Sequence, residues 1–364
     1  MPMAHHFIVI LAGGKGERFW PQSRERHPKH LLPIVGDQPM LVQTVARVRP
    51  LVPARRILII TSAAQKKRVA GLCPQIPREN IIAEPTGRDT AAAVGLAALL
   101  IERRDPMGIF AILPADHAIK NAAAFRRDVR AALGIAAKPS VIATIGIKPF
   151  EPATGYGYIH RGERLGTAEG RHFHRVRRFV EKPDEATARR YLASGEYYWN
   201  AGMFFWSVPT ILAAFARHAP DLQAGLEKIR RGLADGRALV PLLRRVYPTL
   251  PRISVDYALL ERAGNVTVLP AAFDWDDVGA WPAVARHLVR DESGNVVRGH
   301  AVIEDGHHNI VINEGSHFTA VLGADNLVVV HARGATLVCP REKAQQIKKL
   351  LQRLATHPQG RKLL

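Results

Sequence analysis

Cysteine is almost missing from this chain. Cys73 and Cys339 are the only two in 364 residues, too few for a disulfide framework or a cysteine metal cluster and suited to a reducing compartment. Acidic residues are scarce too, 32 against 51 Lys and Arg, and the net charge of +19 raises the question of nucleic acid. The basic residues come in scattered pairs, however (Arg55-Arg56, Arg126-Arg127, Arg230-Arg231, Arg244-Arg245), with no long basic run and only 7% aromatics. A surface that attracts anionic substrates explains this equally well, so no specific nucleic acid is expected as a partner. The longest apolar stretch, near residues 91–101, is too short to span a bilayer. The first strand-like run begins after six residues, which leaves no room for a secretory leader. The expectation is a cytoplasmic protein with no membrane partner. No Gly-x-Ser-x-Gly elbow occurs, and His5-His6, His172/His174 and His307-His308 lack a second ligand pair at metal spacing, so hydrolase and histidine-metal chemistry find little support.

What the chain does have is a glycine-rich, basic loop directly after an apolar run. Residues 7–12, Phe-Ile-Val-Ile-Leu-Ala, read as a parallel strand covered on both faces. The turn that follows therefore belongs at the carboxyl edge of a sheet, where open α/β folds bind ligands. From Leu11 and Ala12 the chain enters Gly13, Gly14 and Gly16, whose backbone can turn sharply and bring N–H groups to an anion. Arg18, Arg24 and Lys29 follow and can neutralise phosphate charge. Phe19 stands where a dinucleotide fingerprint wants glycine, and no Gly-Lys-Ser/Thr follows, which disfavours a Rossmann dehydrogenase and a P-loop NTPase. A tight strand-to-loop turn on a basic surface is the plain alternative.

Strand-like runs at 57–61, 108–113 and 140–145 alternate with helical patterns at 40–48, 90–103 and 125–137. This is the grammar of a mainly parallel sheet wrapped by helices. After about Asp291 it changes to short strands at 309–312, 318–322, 327–330 and 335–338, separated by Gly-containing turns, an all-β annex resembling a short β-helix. Residues 342–355 place Ile347, Leu350, Leu351 and Leu354 at helical spacing, an amphipathic closing helix. The expected division is a catalytic domain over 1–290 and a C-terminal domain over 291–364.

Asp116 stands just past a strand end, and Asp274, Asp276 and Asp277 lie in a downstream Gly-containing turn. Two carboxylates beside a polyphosphate are what Mg²⁺ needs, although each Asp is equally suited to capping a turn or helix. Residues 86–90, Thr-Gly-Arg-Asp-Thr, opening an alanine-rich helix, offer free N–H groups and a polar edge to a nucleotide, with ordinary helix capping by Asp89 or Thr90 as the plain alternative. Gly157, the pair Glu181-Lys182, and Asn200 with Gly202 together have the chemistry of a sugar-phosphate site.

Taken in order, residues 11–29, 83–96, 113–119, 155–159, 179–183, 199–203, 254–261 and 275–281 resemble the mannose-1-phosphate guanylyltransferases of the sugar nucleotidyltransferase superfamily. The chain departs from that pattern at Pro28-Lys29-His30-Leu31 for Pro-Lys-Gln-Phe, at Arg88-Asp89-Thr90 for Arg-Asn-Thr, and at Asp276 for Ser. The resemblance implies an α/β, Rossmann-like (GT-A-like) nucleotidyltransferase with a mixed, mainly parallel sheet, a small C-terminal β-helix-like domain and a terminal helix. It implies GTP and mannose 1-phosphate as substrates and Mg²⁺ as cofactor, held by Asp116 and Asp277. Arg18, Lys29 and Lys182 would be catalytic. Leu11, Ala12, Gly13, Gly14, Gly16, Glu84, Pro85, Arg88, Thr90 and Asp116 would bind the nucleotide. Gly157, Glu181, Lys182, Asn200, Gly202 and Asp256 would bind the sugar phosphate. The chain ends where longer bifunctional relatives continue into an isomerase domain, so no isomerase activity is expected. A homodimer, another sugar 1-phosphate such as a heptose, and a catalytically idle nucleotide- or nucleic-acid-binding relative are the alternatives left open.

Overall fold

The computed structural model describes residues 5–364, and packing divides the chain into two compact units. The first is made of residues up to Gly13, Val45–Ala115 and Ile119–Trp275; the second of Gly14–Thr44, Asp116–Ala118 and Asp276–Leu364. These units cut the chain differently from a single boundary at 290/291. Residues 14–44 and 276–290 belong with the second unit because Phe19, Trp20, Leu32, Ile34, Met40 and Trp281 are buried in one cluster with Val296, Ile310 and Val328.

The first unit is built on a nine-stranded sheet. Its strands are β1 (His6–Ala12), β2 (Ile57–Ser62), β3 (Ile81–Glu84), β4 (Ile109–Pro114), β5 (Ile142–Ile147), β6 (Tyr158–Ala168), β7 (Arg171–Val180), β8 (Tyr197–Ser207) and β9 (Val266–Pro270). The order across it is β3-β2-β1-β4-β8-β5-β9-β7-β6. Strands β1 to β4 are mutually parallel, as their apolar sequences require of strands covered on both faces. Beyond β4 the sheet turns mixed. Strand β8 lies antiparallel between β4 and β5, β5 and β9 are parallel, and β6 and β7 form an antiparallel pair. Strands β6 and β7 are rich in Arg and half-exposed, so they carry no buried-strand signature.

The parallel register sets Leu11 level with Pro114 and Ser62 level with Glu84, so β1, β3 and β4 deliver their following residues to one edge. The helix Asp89–Glu102 is buried without a break from Ala91 through Ile101. It is apolar all round because it packs on β1 and β2 and beneath helices Val208–His218 and Pro220–Ala234. Gly95 permits that approach, since a Cβ there would collide with Leu226 Cδ1.

In the second unit, β10 (Val296–Arg298), β12 (Ile310–Asn313) and β14 (Leu327–Ala332) stack in parallel, with β15 (Ala335–Pro340) antiparallel at one side. Strands β11 (His300–Glu304) and β13 (Phe318–Leu322) form a second parallel face. This is the expected β-helix-like annex. Its turns are held by stacked asparagines. Fully buried Asn309 donates its backbone N–H to Asn295 Oδ1 at 2.9 Å and its Nδ2 to Ala324 O at 2.7 Å, and accepts Leu327 N–H at 2.9 Å. The closing helix differs from expectation at its start. A 3-10 turn covers Arg341–Gln346 and the α-helix runs over Ile347–Thr356, with Ala344 and Ile347 buried across the junction.

Replacing Asn309 with Ala removes the side-chain partners of the half-buried Leu327 N–H and Ala324 carbonyl. The variant is expected to lose about 2 kcal/mol or more of stability, read as a lower thermal midpoint in calorimetry; an unchanged midpoint would contradict the role given to the asparagine stack.

Candidate active site

In the second unit the chemistry centres on Lys29. Its side chain is buried, at 5% exposure, and its ammonium donates to Asp116 Oδ2 at 2.9 Å and to the Asp277 carbonyl at 2.5 Å. Gly16 makes room for it. At φ 64, a Cβ on Gly16 would lie 2.5 Å from Lys29 Cβ, so the glycine-rich loop closes directly on the lysine. Burial alone would raise the Asp116 pKa, but the Lys29 ammonium, helped by His117 and His30, holds it down at about 2. Asp116 is thus a fixed anion, yet its side chain remains 37% exposed. Arg18 donates Nη1 to Gln345 Oε1 at 2.8 Å, which ties the loop to the 3-10 turn. Arg24 is not brought to this site; its guanidinium is used on the Arg333 and Pro21 carbonyls.

The acidic turn after β9 sorts its three carboxylates. Asp274, in the first unit, accepts the backbone N–H groups of Lys120 and Asn121, just ahead of the helix Ala122–Ala136. Asp276 is enclosed by Arg286, His287 and the Val278 N–H; although burial disfavours its charge, these partners hold its pKa well below the carboxylate range. An antiparallel bridge, Ala118 N to Asp276 O at 2.8 Å and Asp276 N to Ala118 O at 3.1 Å, sets the turn against residues 116–118. That leaves Asp277 beside Lys29. Its Oδ2 lies 3.0 Å, and Arg18 Nη1 3.5 Å, from the point where a Cβ on Gly279 would begin, so a side chain there would crowd this carboxylate and the Arg18 guanidinium.

At the sheet edge of the first unit, Gly13 leaves β1 opposite Glu84. A Cβ on Gly13 would be 3.3 Å from Glu84 Oε2, and Glu84 Oε1 accepts the buried Tyr247 hydroxyl at 2.5 Å. Burial pushes the Glu84 pKa up to about 7, with Asp89 adding to the rise and Tyr247 opposing it. The following segment is braced by backbone. Arg88 Nη2 donates to Pro248 O, and Thr90 Oγ1 accepts the Val255 N–H at 2.8 Å. Thr90 therefore fixes the entry to its helix, and Asp89 at φ 62 supplies the left-handed residue that Asp tolerates.

A second cluster in the same unit gathers residues far apart in sequence. Asn200 donates Nδ2 to Asp256 Oδ1 at 2.9 Å and accepts the Gly202 N–H at 3.0 Å, while its own N–H goes to Gly157 O at 2.8 Å. Glu181 pairs with Lys182 through Oε1, and its Oε2 is buried with no hydrogen-bond partner, in the space that a Cβ on Gly157 would fill. Burial raises the Asp256 pKa to about 6, with Glu181 adding to the rise. Lys182 holds φ 48. Asp256 opens a short π-helical turn, Asp256–Leu260, a local geometry frequent at functional sites.

Sequence motifs had singled out all the residues of this cluster, and structure brings them together. Tyr247, Arg286 and His287 escaped sequence reading. Nothing in their local patterns marks them, since each acts only through a carboxylate that the fold delivers.

Two family descriptions match this chain, "Nucleotidyl transferase" over residues 8–293 and "MannoseP isomerase/GMP-like beta-helix domain" over 299–354. It is 38% identical over 94% of its length to a mannose-1-phosphate guanylyltransferase of Klebsiella pneumoniae, spanning 73% of that protein. Against one of Escherichia coli it is 37% identical, again over 94% of this chain and 73% of the relative. The chain belongs to the mannose-1-phosphate guanylyltransferase family. The crystal structure of a Thermus thermophilus protein described as a mannose-1-phosphate geranyltransferase superposes with TM-score 0.84 at 35% identity, covering 96% of this chain and 99% of that one.

As a member of the guanylyltransferase family, the chain belongs to enzymes that generally use a divalent metal. The residues fit one. Asp116 is ionised and engages Lys29 through Oδ2, the Asp277 carboxylate stands in the same turn with its backbone carbonyl on Lys29, and the Asp276 carboxylate is fully occupied elsewhere.

The raised pKa of Glu84 has a measurable consequence for stability. An acid whose pKa rises from 4.5 unfolded to about 7 folded favours the folded state below pH 4.5 and loses that contribution as pH rises through 7. Between pH 4.5 and 8 the guanylyltransferase should lose up to about 3 kcal/mol relative to Glu84→Gln, measured by denaturant unfolding of both proteins; a difference that stays constant with pH would contradict the burial assigned to Glu84.

Proposed function

We propose that the chain transfers GMP from GTP to α-D-mannose 1-phosphate, giving GDP-mannose and pyrophosphate, with Mg²⁺ as the divalent cation and the cytoplasm as its place of action. Similarity over nearly the whole chain to mannose-1-phosphate guanylyltransferases carries this reading. A phosphate monoester has a second pKa of about 6 and is already an anion at neutral pH. Its oxygen can therefore attack the α-phosphorus in line without a general base, and the protein's task is alignment and neutralisation of charge.

The residues divide that task. Leu11, Ala12, Gly13, Gly14 and Gly16 would present backbone to the triphosphate, with Arg18 and the buried Lys29 as its cations. Because Lys29 is already held by Asp116 and the Asp277 carbonyl, its charge needs no reorganisation as pyrophosphate leaves. Asp116 and Asp277 would hold Mg²⁺, which when bound neutralises phosphate oxygens as a Lewis acid. Glu84, Pro85, Arg88 and Thr90 would form the guanine edge; the N1 and N2 donors of guanine suit a carboxylate acceptor. Lys182 would take the sugar phosphate. Glu181, Asn200, Asp256 and the backbone of Gly157 and Gly202 would address the sugar hydroxyls, for which the unpartnered Glu181 Oε2 is a ready acceptor.

Asp116→Asn and Asp277→Asn should each lower kcat by about 100-fold or more with the fold intact, checked by steady-state kinetics beside circular dichroism; wild-type rates in both would remove the metal assignment. Lys182→Ala should raise the KM for mannose 1-phosphate about tenfold or more with the KM for GTP little changed, and an unaltered sugar-phosphate KM would count against its role.

A further inference from the structure

Val278 is a fully buried, β-branched residue held at φ 46, a backbone conformation such residues leave unless their surroundings impose it. Its surroundings are an apolar cluster with Phe19, Ala118 and Trp281 and, on its backbone, the Asp276 side chain. Its Oδ1 accepts the Val278 N–H at 2.8 Å, two residues ahead, and the same carboxylate is gripped by Arg286 Nε and Nη2, each at 2.8 Å, and by His287 Nε2 at 2.9 Å. The Asp276 backbone is pinned as well, by the two hydrogen bonds of its bridge to Ala118. Asp277 therefore sits between two immobilised neighbours, and its carbonyl is delivered to the Lys29 ammonium.

We propose that Asp276 is a positioning residue for guanylyl transfer. By holding Val278 in the left-handed conformation, it fixes the Asp277 peptide and with it both the carbonyl that anchors Lys29 and the direction in which the Asp277 carboxylate leaves the turn. Arg286 and His287 act at one further remove, by keeping the Asp276 carboxylate in place. The proposal rests on the roles given above to Asp277 and Lys29.

The test compares Asp276→Ala, Asp276→Asn and Asp277→Asn by kcat, by thermal midpoint and by Mn²⁺ binding in the presence of GTP, followed by electron paramagnetic resonance. Asp276→Ala removes the acceptor of the Val278 N–H and should lower kcat about tenfold or more, the loss expected for one hydrogen bond to a charged group, and weaken Mn²⁺ binding. Asp276→Asn keeps an amide oxygen for that N–H and should recover most of both. An Asp276→Ala protein that is less stable but retains wild-type kcat and Mn²⁺ affinity would overturn the proposal. So would an Asp276→Asn protein that folds yet is as impaired as Asp277→Asn, and this variant decides the matter even if Asp276→Ala does not fold. Full activity in Asp277→Asn would instead overturn the underlying reading of Asp277.

Discussion

A buried ammonium organises the catalytic part of the second unit. Lys29 cannot sit at 5% exposure without partners, since an uncompensated charge in that position is costly. Its two partners come from chain segments roughly 90 and 250 residues away, the Asp116 carboxylate and the Asp277 carbonyl. The glycine-rich loop, the residues after β4 and the turn before Trp281 are therefore placed by one requirement for charge compensation. Gly16 has to be glycine for the loop to reach the lysine, and Asp116 is kept ionised by the same contact. The cation proposed for the anionic substrate is also the one that holds these segments together.

The first unit gathers its polar groups in two places, at the sheet edge and around Gly157. Its parallel strands bring Gly13 and Glu84 to a common edge, where burial lifts the Glu84 pKa and Tyr247 takes one of its oxygens. At the second cluster, Glu181, Asn200 and Asp256 share hydrogen bonds and charge around Gly157, whose missing side chain leaves Glu181 Oε2 without a protein partner. Of the two carboxylates, Asp256 has its pKa raised by burial, and it lies beside the Asn200 amide.

Much of this was legible in the sequence, for physical reasons that can be named. An apolar run leading into Gly13, Gly14 and Gly16 reads as a buried strand and an anion-binding turn because backbone sterics and burial are local. The parallel strands β1, β2 and β4 were visible for the same reason. Of β6 and β7 only the entry near Tyr158 and the exit near Phe179 were legible, since the Arg-rich, half-exposed lengths between lack a burial signature. Motif position alone separates Asp276 from Asp277 in the sequence; that Arg286 and His287 engage the Asp276 carboxylate is visible only once the fold sets them against it. Arg24 looked like a phosphate ligand in the sequence and proves to bond the Arg333 carbonyl. The buried asparagine stack left no mark because a single Asn per turn is indistinguishable from a surface turn residue.

The central claim is that this chain joins GTP to mannose 1-phosphate. Pyrophosphate release with Mg²⁺, compared across GTP, ATP, UTP and CTP with and without mannose 1-phosphate, tests it most directly. The account predicts release with GTP and mannose 1-phosphate together and in no other combination. Release with another nucleotide at a comparable rate, or none with GTP and mannose 1-phosphate, would contradict it.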